Sequence, residues 1–328
     1  MGVASVDVGQ SDLVSVIIPA YNAQGTLDAT LTSVRSQSHR NLEIVVVDDG
    51  SSDATFSVAQ RHADADPRVR VIRQKNLGVA AARNAGLAVT IGRYVAPIDA
   101  DDLWAPRKIE RQLDAVRQTG RGKVGLVYTW FSVVDASGRV LLNEDRADAE
   151  GYVLPDLLKQ NLVGNTGLVL REAIEVAGRY DTGLRGRGCE GCEDYRLYLK
   201  IAELYEFALV REFLTAYREV RGSMSGNVLK MIRSRNVCID EFSVKYPEYH
   251  AAIRRGRTRF VRFMIARSVR DKKLLVALRM LANMFFDDPW GACLSSVELV
   301  RERAVRRQKK FTTESVELPK KIFEVGVL

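Results

Sequence analysis

Residues 94–104 read YVAPIDADDLW, and this stretch decides how the rest of the chain is read. Residues 94–98 have the length and apolar character of a buried strand. They run straight into Asp99, Asp101 and Asp102, three carboxylates within four positions. Like charges crowded at a strand end repel one another, and a divalent cation is the cheapest partner that holds them together. A strand that delivers acids at its carboxyl end suits an α/β sheet, whose ligands sit beyond the strand tips.

The sequence on either side follows the same plan. Residues 14–18 (VSVII) and 42–47 (LEIVVV) are short β-branched runs, and 26–37 (TLDATLTSVRSQ) between them sets Leu27, Leu31 and Val34 at helical spacing. A third strand is predicted at 69–73 and a helix at 78–88. Strand and helix in alternation predict an open, mostly parallel, Rossmann-like sheet with helices on both faces. Polar clusters follow the strands: Pro19-Ala20-Tyr21-Asn22 after the first, Asp48 to Ser52 after the second, the acids after the fourth. Three loops are thus expected at one edge. Further on, a helix is predicted at 106–118, strands at 125–131 and 166–170, and a helix at 171–177. A loop with four glycines follows at 181–191, then a helix at 193–204 and strands near 207–210 and 213–218. No internal repeat is visible.

Composition bounds the function. The chain has 328 residues and a net charge of +8, yet from Ser223 onward 22 Lys and Arg face 11 Asp and Glu. The basicity belongs to the C-terminal region, which suits an anionic partner such as phospholipid head groups or a lipid-linked phosphate, or a solvated helix face. Its longest apolar stretch, 274–286, is interrupted by Arg279 and falls short of the roughly 20 residues that span a bilayer. Residues 1–12 lack a basic start and an apolar run, so the expectation is a flexible N-terminus, no signal peptide and a cytoplasmic protein. Cys189 and Cys192 form a CxxC pair without two further ligands at zinc spacing, and read as loop thiols. His39, His62 and His250 are scattered.

Neither GxxxxGK[ST] nor GxGxxG is present, so a nucleotide must be held without a glycine cradle. Asp49 suits the ring N–H of a uracil-like base, with Tyr21 packed beside it. The same loop also reads as an N-cap, with Ser51, Ser52 or Asp53 opening a helix near Ala54.

The series VSVIIPAYN, LEIVVVDDGSSDAT, NLGVAAARNAG, YVAPIDADD and GCEDYRLYLKIAE resembles the family-2 inverting glycosyltransferases of GT-A fold. The resemblance spans about residues 13–222. It implies a nucleotide-binding half at 13–104, an acceptor-binding half at 105–222 and a separate basic helical region at 223–328. It implies that Pro19, Tyr21, Asn22 and Asp49 hold the nucleoside, and that Asp99 of the DxD motif Asp99-Ala100-Asp101 contacts the ribose. Asp101 would bind Mn2+ or Mg2+ bridging the diphosphate. Asn76, Gly78, Arg83, Asn84 and Ala100 would lie near the donor sugar or phosphates, as would Arg218 of YREVRGSMS with Ser223 and Ser225. The family often has a histidine in that segment, where this chain has Val220 or Arg221. Asp194 would be the catalytic base, supported by Glu193.

The chemistry needs stabilisation of the leaving diphosphate and a base on the opposite face of an oxocarbenium-like sugar. Glu193 and Asp194 open a helix, where acids are favoured and their pKa is lowered, so burial or the neighbouring Glu must offset this. Trp104 is a candidate to stack on a sugar, whereas Trp130 reads as core. Arg254, Arg255, Arg257, Arg259 and Arg262 around Phe260 and Phe263 suit a helix lying on an anionic membrane. Leu274, Leu275, Leu278 and Leu281 read as packed internally or against another subunit. The expected function is metal-dependent transfer of a sugar from a nucleotide-diphosphate donor, a UDP-sugar, to a saccharide or lipid-linked acceptor in bacterial surface polysaccharide assembly. The alternatives are a sugar-phosphate nucleotidyltransferase, against which PAYN speaks, and a non-catalytic nucleotide-binding scaffold. Nothing resembles a nucleic-acid reader.

Overall fold

In the computed structural model, which describes residues 12–119, 123–144, 148–219 and 226–287, strand and helix alternate as the apolar pattern demands. The nucleotide half runs β1 (Val14–Ala20), α1 (Leu27–Arg35), β2 (Leu42–Asp48), α2 (Thr55–Ala65), β3 (Val69–Arg73), α3 (Val79–Ala88) and β4 (Tyr94–Pro97). The next stretch holds β5 (Leu103–Trp104), α4 (Lys108–Gln118), β6 (Val124–Val134), β7 (Val140–Glu144), α5 (Leu154–Lys159), β8 (Leu168–Leu170) and α6 (Arg171–Val176). The short α7 (Gly183–Gly186) precedes α8 (Glu193–Ala202) and β9 (Glu206–Arg218). Three helices end the described chain: α9 (Val228–Lys245), α10 (His250–Arg270) and α11 (Leu274–Asp287).

The strands form one sheet in the order β3-β2-β1-β4-β8-β6-β9-β5, with β7 beside β6. Strands β3, β2, β1 and β4 are parallel, β8 is antiparallel to both β4 and β6, and β9 runs parallel to β6. The continuous apolar runs of β1 and β2 are explained by burial on both faces. Val14, Val16, Ile18, Ile44 and Val46 pack with α1, α2 and α4, while Ile17 packs toward α3, α5 and α8 and Val45 and Val47 pack against Ala82 of α3.

Several boundaries differ from the expectation. Strand β1 passes through Pro19 because Ile17 and Pro19 present their backbone polar groups toward β4, whose pairing stops at Ile17. A residue without an N–H therefore costs no ladder bond there. The two expected C-terminal strands of the body are one long β9, whose register against β6 shifts between Thr129 and Phe131. Elements β5, β7 and α5 were not expected. The first has two residues, β7 has three exposed apolar residues in a row and hence no alternation, and α5 is one and a half turns long.

The C-terminal helices pack on the body formed by the sheet and its helices. Cys238, Ile239, Phe242 and Ile253 belong to the same core cluster as Leu157, Tyr195 and Leu199. Gly256 lets α10 cross the end of α5, where an added Cβ would lie 2.6 Å from the carbonyl oxygens of Leu158 and Lys159. Leu274, Leu275 and Leu278 are exposed rather than packed internally, because α11 turns Ala277 and Met280 inward instead. No helix among the described residues is long and apolar enough to cross a membrane. The stretches 1–11, 220–225 and 288–328, with Val220, Arg221, Ser223, Ser225 and Cys293, lie outside the described residues.

Candidate active site

The tips of β1, β2 and β4 open into one cavity of about 1670 Å3, lined by Pro19, Tyr21, Asn22, Asp49, Asn76, Gly78, Arg83, Asp99, Ala100, Asp101, Glu193 and Asp194. The loops are laced together before any ligand arrives. Asn22 adopts a left-handed φ of 49°, its N–H donates to Ser51 Oγ at 3.0 Å, and its Oδ1 accepts from the Ser52 N–H at 2.9 Å. Ala54 rather than Ser51, Ser52 or Asp53 takes the N-cap position of α2, and Asp53 just before it accepts from the Thr55 N–H at 2.9 Å.

Asp49 is engaged more fully than the sequence suggests. Its Oδ1 accepts from Gln74 Nε2 at 2.7 Å and the Leu77 N–H at 2.8 Å, and its Oδ2 accepts from the Gly78 N–H at 2.8 Å. It therefore shapes the loop ahead of α3 and keeps acceptor capacity on Oδ2, which takes one hydrogen bond. Gly50 at φ 76° makes this possible, since a Cβ there would sit 2.8 Å from the Asn76 nitrogen.

Arg83 stands at the centre. It is 5% exposed, with Nη2 donating to Asp99 Oδ1 and Nη1 to Glu193 Oε1, both at 2.7 Å. Burial opposes its charge, but Asp99 and Glu193 outweigh that and raise its pKa. Glu193 also accepts from the Gly191 N–H at 2.9 Å, so Arg83 and the loop turn fix it from both sides.

The acids differ in their surroundings. Asp102 is fully buried, accepting from the Asn165 side-chain amide and from the Arg218 N–H at 2.8 Å. It braces the loop from behind, and burial pushes its pKa well up. Asp101 faces the cavity, has no ion-pair partner among the described residues, and is pushed up to about 6 by burial and then by the charge of Asp99. A carboxylate short of a counter-charge fits a divalent cation. Among the described residues no three acids, histidines or cysteines converge as a cage. Such an ion would therefore rest on one or two carboxylates and on substrate phosphates, the usual habit of Mg2+. Asp194 is pushed up to about 7, by burial first and the charge of Glu193 second, against the pull of Arg83. Burial and the neighbouring Glu thus outweigh the helix N-terminus.

Two expected donor contacts do not line the cavity. Asn84 clamps the backbone of Tyr180, donating to its carbonyl at 2.8 Å and accepting from its N–H at 3.1 Å. Arg218 is 8% exposed and directs Nη1 to the Ala136 carbonyl at 3.4 Å. Trp104 is buried at 2% exposure with Lys108 Nζ 4.3 Å from its ring centre, whereas Trp130 lines the cavity beside Phe213. Cys189 and Cys192 do lie in the loop ahead of α8, as buried free thiols, and Cys238 is a buried free thiol of α9. The sequence gives no warning of Glu190 and Arg185, whose side chains approach Gly78 across the cavity rim. Nor does it show that α9 anchors their loop: Lys230 pairs with Glu190 at 2.8 Å and Ser234 Oγ donates to the Glu190 carbonyl at 3.0 Å.

Comparison with known proteins adds to this geometry. Residues 15–176 match the pattern of glycosyl transferase family 2. The chain is 33% identical over 221 residues to TuaG of Bacillus subtilis strain 168, named for teichuronic acid biosynthesis, across 66% of this chain and 83% of TuaG. It is 42% identical over 105 residues to Escherichia coli WfaP, a UDP-Glc:α-D-GlcNAc-diphosphoundecaprenol β-1,3-glucosyltransferase, across 31% of this chain and 40% of WfaP. Its fold is similar to that of the mannosyltransferase PcManGT of Pyrobaculum calidifontis, solved with GDP-Man and Mn2+. The TM-score is 0.58 at 19% identity, over 92% of this chain and 83% of that one.

Proposed function

The chain belongs to glycosyl transferase family 2 and has the GT-A fold, and from that premise we propose inverting transfer of a sugar from a UDP-sugar to a hydroxyl of a saccharide or lipid-linked saccharide. The observation that carries this reading is Arg83, 2.7 Å from Asp99 and 2.7 Å from Glu193. One guanidinium joins the donor acids to the pair that holds the base, so both serve one reaction centre.

In this reading Tyr21, Asn22 and Asp49 hold the nucleoside, and Asp99 faces the ribose. Mn2+ or Mg2+ held at Asp101 would neutralise charge on the departing diphosphate. Asp194 takes the proton of the acceptor hydroxyl, and a carboxyl near pH 7 is well matched to that task. Attack from the face opposite the leaving group inverts the anomeric centre. The names of TuaG and WfaP support a bacterial surface polysaccharide and a UDP donor, and the Mn2+ in PcManGT supports the metal. An anionic membrane face is part of the proposal, because exposed Leu274, Leu275 and Leu278 lie among Lys272, Lys273 and Arg279.

Two measurements test it. Asp194→Asn is expected to bind UDP-sugar as the wild type does and to transfer at least about 100-fold more slowly; near-normal turnover removes Asp194 from the role. Calorimetry with UDP is expected to show tighter binding with Mn2+ than without, and equal binding would remove the metal.

A further inference from the structure

The end of the cavity remote from the nucleoside loops holds a cation that donor chemistry leaves unused. Arg235 of α9 lines it and is 3% exposed. Its Nη2 donates to the carbonyls of Leu158 and Lys159 at 3.3 and 3.2 Å, but Nη1 is buried without a hydrogen-bond partner. Its guanidinium lies 5.8 Å from the Tyr195 ring centre and 5.1 Å from that of Phe260, and it forms no ion pair with a described carboxylate. A buried guanidinium without an anion is a costly arrangement unless a ligand brings one.

Arg259 of α10 lines the same cavity, is exposed, and pairs with no described residue. Other acids line the same cavity: Glu190 is held by Lys230 and Glu219 by Arg270, each at 2.8 Å, Asp194 directly precedes Tyr195, and Glu144 also lies on the wall. Apolar surface lies alongside: Phe263 and Leu141 are each 51% exposed. At about 1670 Å3 the cavity also exceeds the ~300–1,000 Å3 of an ordinary small-molecule site, so a sugar nucleotide leaves room.

We propose that this end is a second phosphate subsite, in which Arg235 and Arg259 receive the phosphate of a phosphate-bearing acceptor while the apolar wall takes its organic tail. Guanidinium suits this role because its planar fork matches phosphate oxygens. The acceptor part of the proposal rests on the glycosyl-transfer reading; the anion site itself does not.

The test is calorimetry on the full chain with UDP and Mg2+ saturating the donor site, titrating geranyl diphosphate or inorganic pyrophosphate. Binding of at least one is expected, weakened about tenfold or more by Arg259→Ala with UDP affinity unchanged. Arg235→Gln is expected to do the same, and Arg259→Ala carries the test if that buried substitution unfolds the chain. Tighter binding of the geranyl form identifies a lipid-linked acceptor, and equal binding a phosphate-containing polymer. No binding once UDP is in place, or binding that Arg259→Ala leaves unchanged, overturns the subsite. Failure of UDP itself to bind would count against the glycosyl-transfer reading, while the pyrophosphate titration would still report on Arg235 and Arg259.

Discussion

At the scale of the residue, the proposed base and its neighbours set a testable pH profile. In the proposed mechanism Asp194 must be ionised to accept a proton, so kcat/KM is expected to fall as pH drops through about 7. The charge of Glu193 helps hold that value up, and Arg83 pulls it down. Glu193→Gln removes the first influence and releases Arg83 from one partner, and both changes favour the ionised form of Asp194. The acidic limb is therefore expected to move to lower pH in Glu193→Gln, whatever happens to the maximal rate. A limb that stays in place or moves upward would show that another group titrates. The residues of this network were legible because carboxylates at strand and helix ends are conspicuous in a sequence. The places of Asn84 and Arg218 off the cavity wall were not, since nothing in the chain distinguishes an amide that clamps Tyr180 from one that faces a cavity. That Trp104 is buried and Trp130 lies on the cavity wall was not legible, because the register shift in β6 at Trp130 cannot be read from apolar pattern alone.

At the scale of the element, α4 carries an unusual side chain. Lys108 is completely buried, donates to Gln112 at 2.8 Å and sits over the Trp104 ring. Burial pushes its pKa down to about 7, from an ordinary lysine value of about 10.4. The unfolded chain thus binds a proton that the folded chain has shed between these values, and this residue's contribution to stability rises with pH across that window. Below about pH 7 both forms are charged and the full penalty of burial applies. Lys108→Met is expected to stabilise the protein by roughly 1–4 kcal/mol at pH 6 and less at pH 9, the difference from wild type isolating this group from all others. Urea melts of both proteins at the two pH values check it, and a pH-independent difference would refute the assignment. The long elements were legible because β1, β2, α1 and α3 bury complete apolar faces. Elements β5, β7 and α5 were not, because two to six residues cannot express a period and their pairing depends on β6 and β9.

At the scale of the molecule, the basic C-terminal helices do three things. Helix α9 ties the loop at Glu190 that leads into Glu193 and Asp194, α10 walls the cavity, and α11 presents apolar side chains outward. The sequence disclosed their charge but not their packing, because contacts between α9, α5 and α8 join segments far apart in the chain. Leu275 and Leu278 are 84% and 62% exposed, with Lys272, Lys273 and Arg279 nearby. In water these leucines gain nothing from the fold. In the interface of an anionic membrane each contributes about 1–2 kcal/mol on insertion, and each neighbouring cation roughly 1 kcal/mol more. The protein is therefore expected to sediment with vesicles rich in phosphatidylglycerol and to be released by salt. Leu275→Glu with Leu278→Glu should weaken that binding at least about tenfold while leaving UDP affinity intact, since neither residue lines the cavity. Vesicle binding unchanged by the pair would assign the face to other work, and a concentration-dependent oligomer abolished by the same pair would assign it to a second copy of the chain.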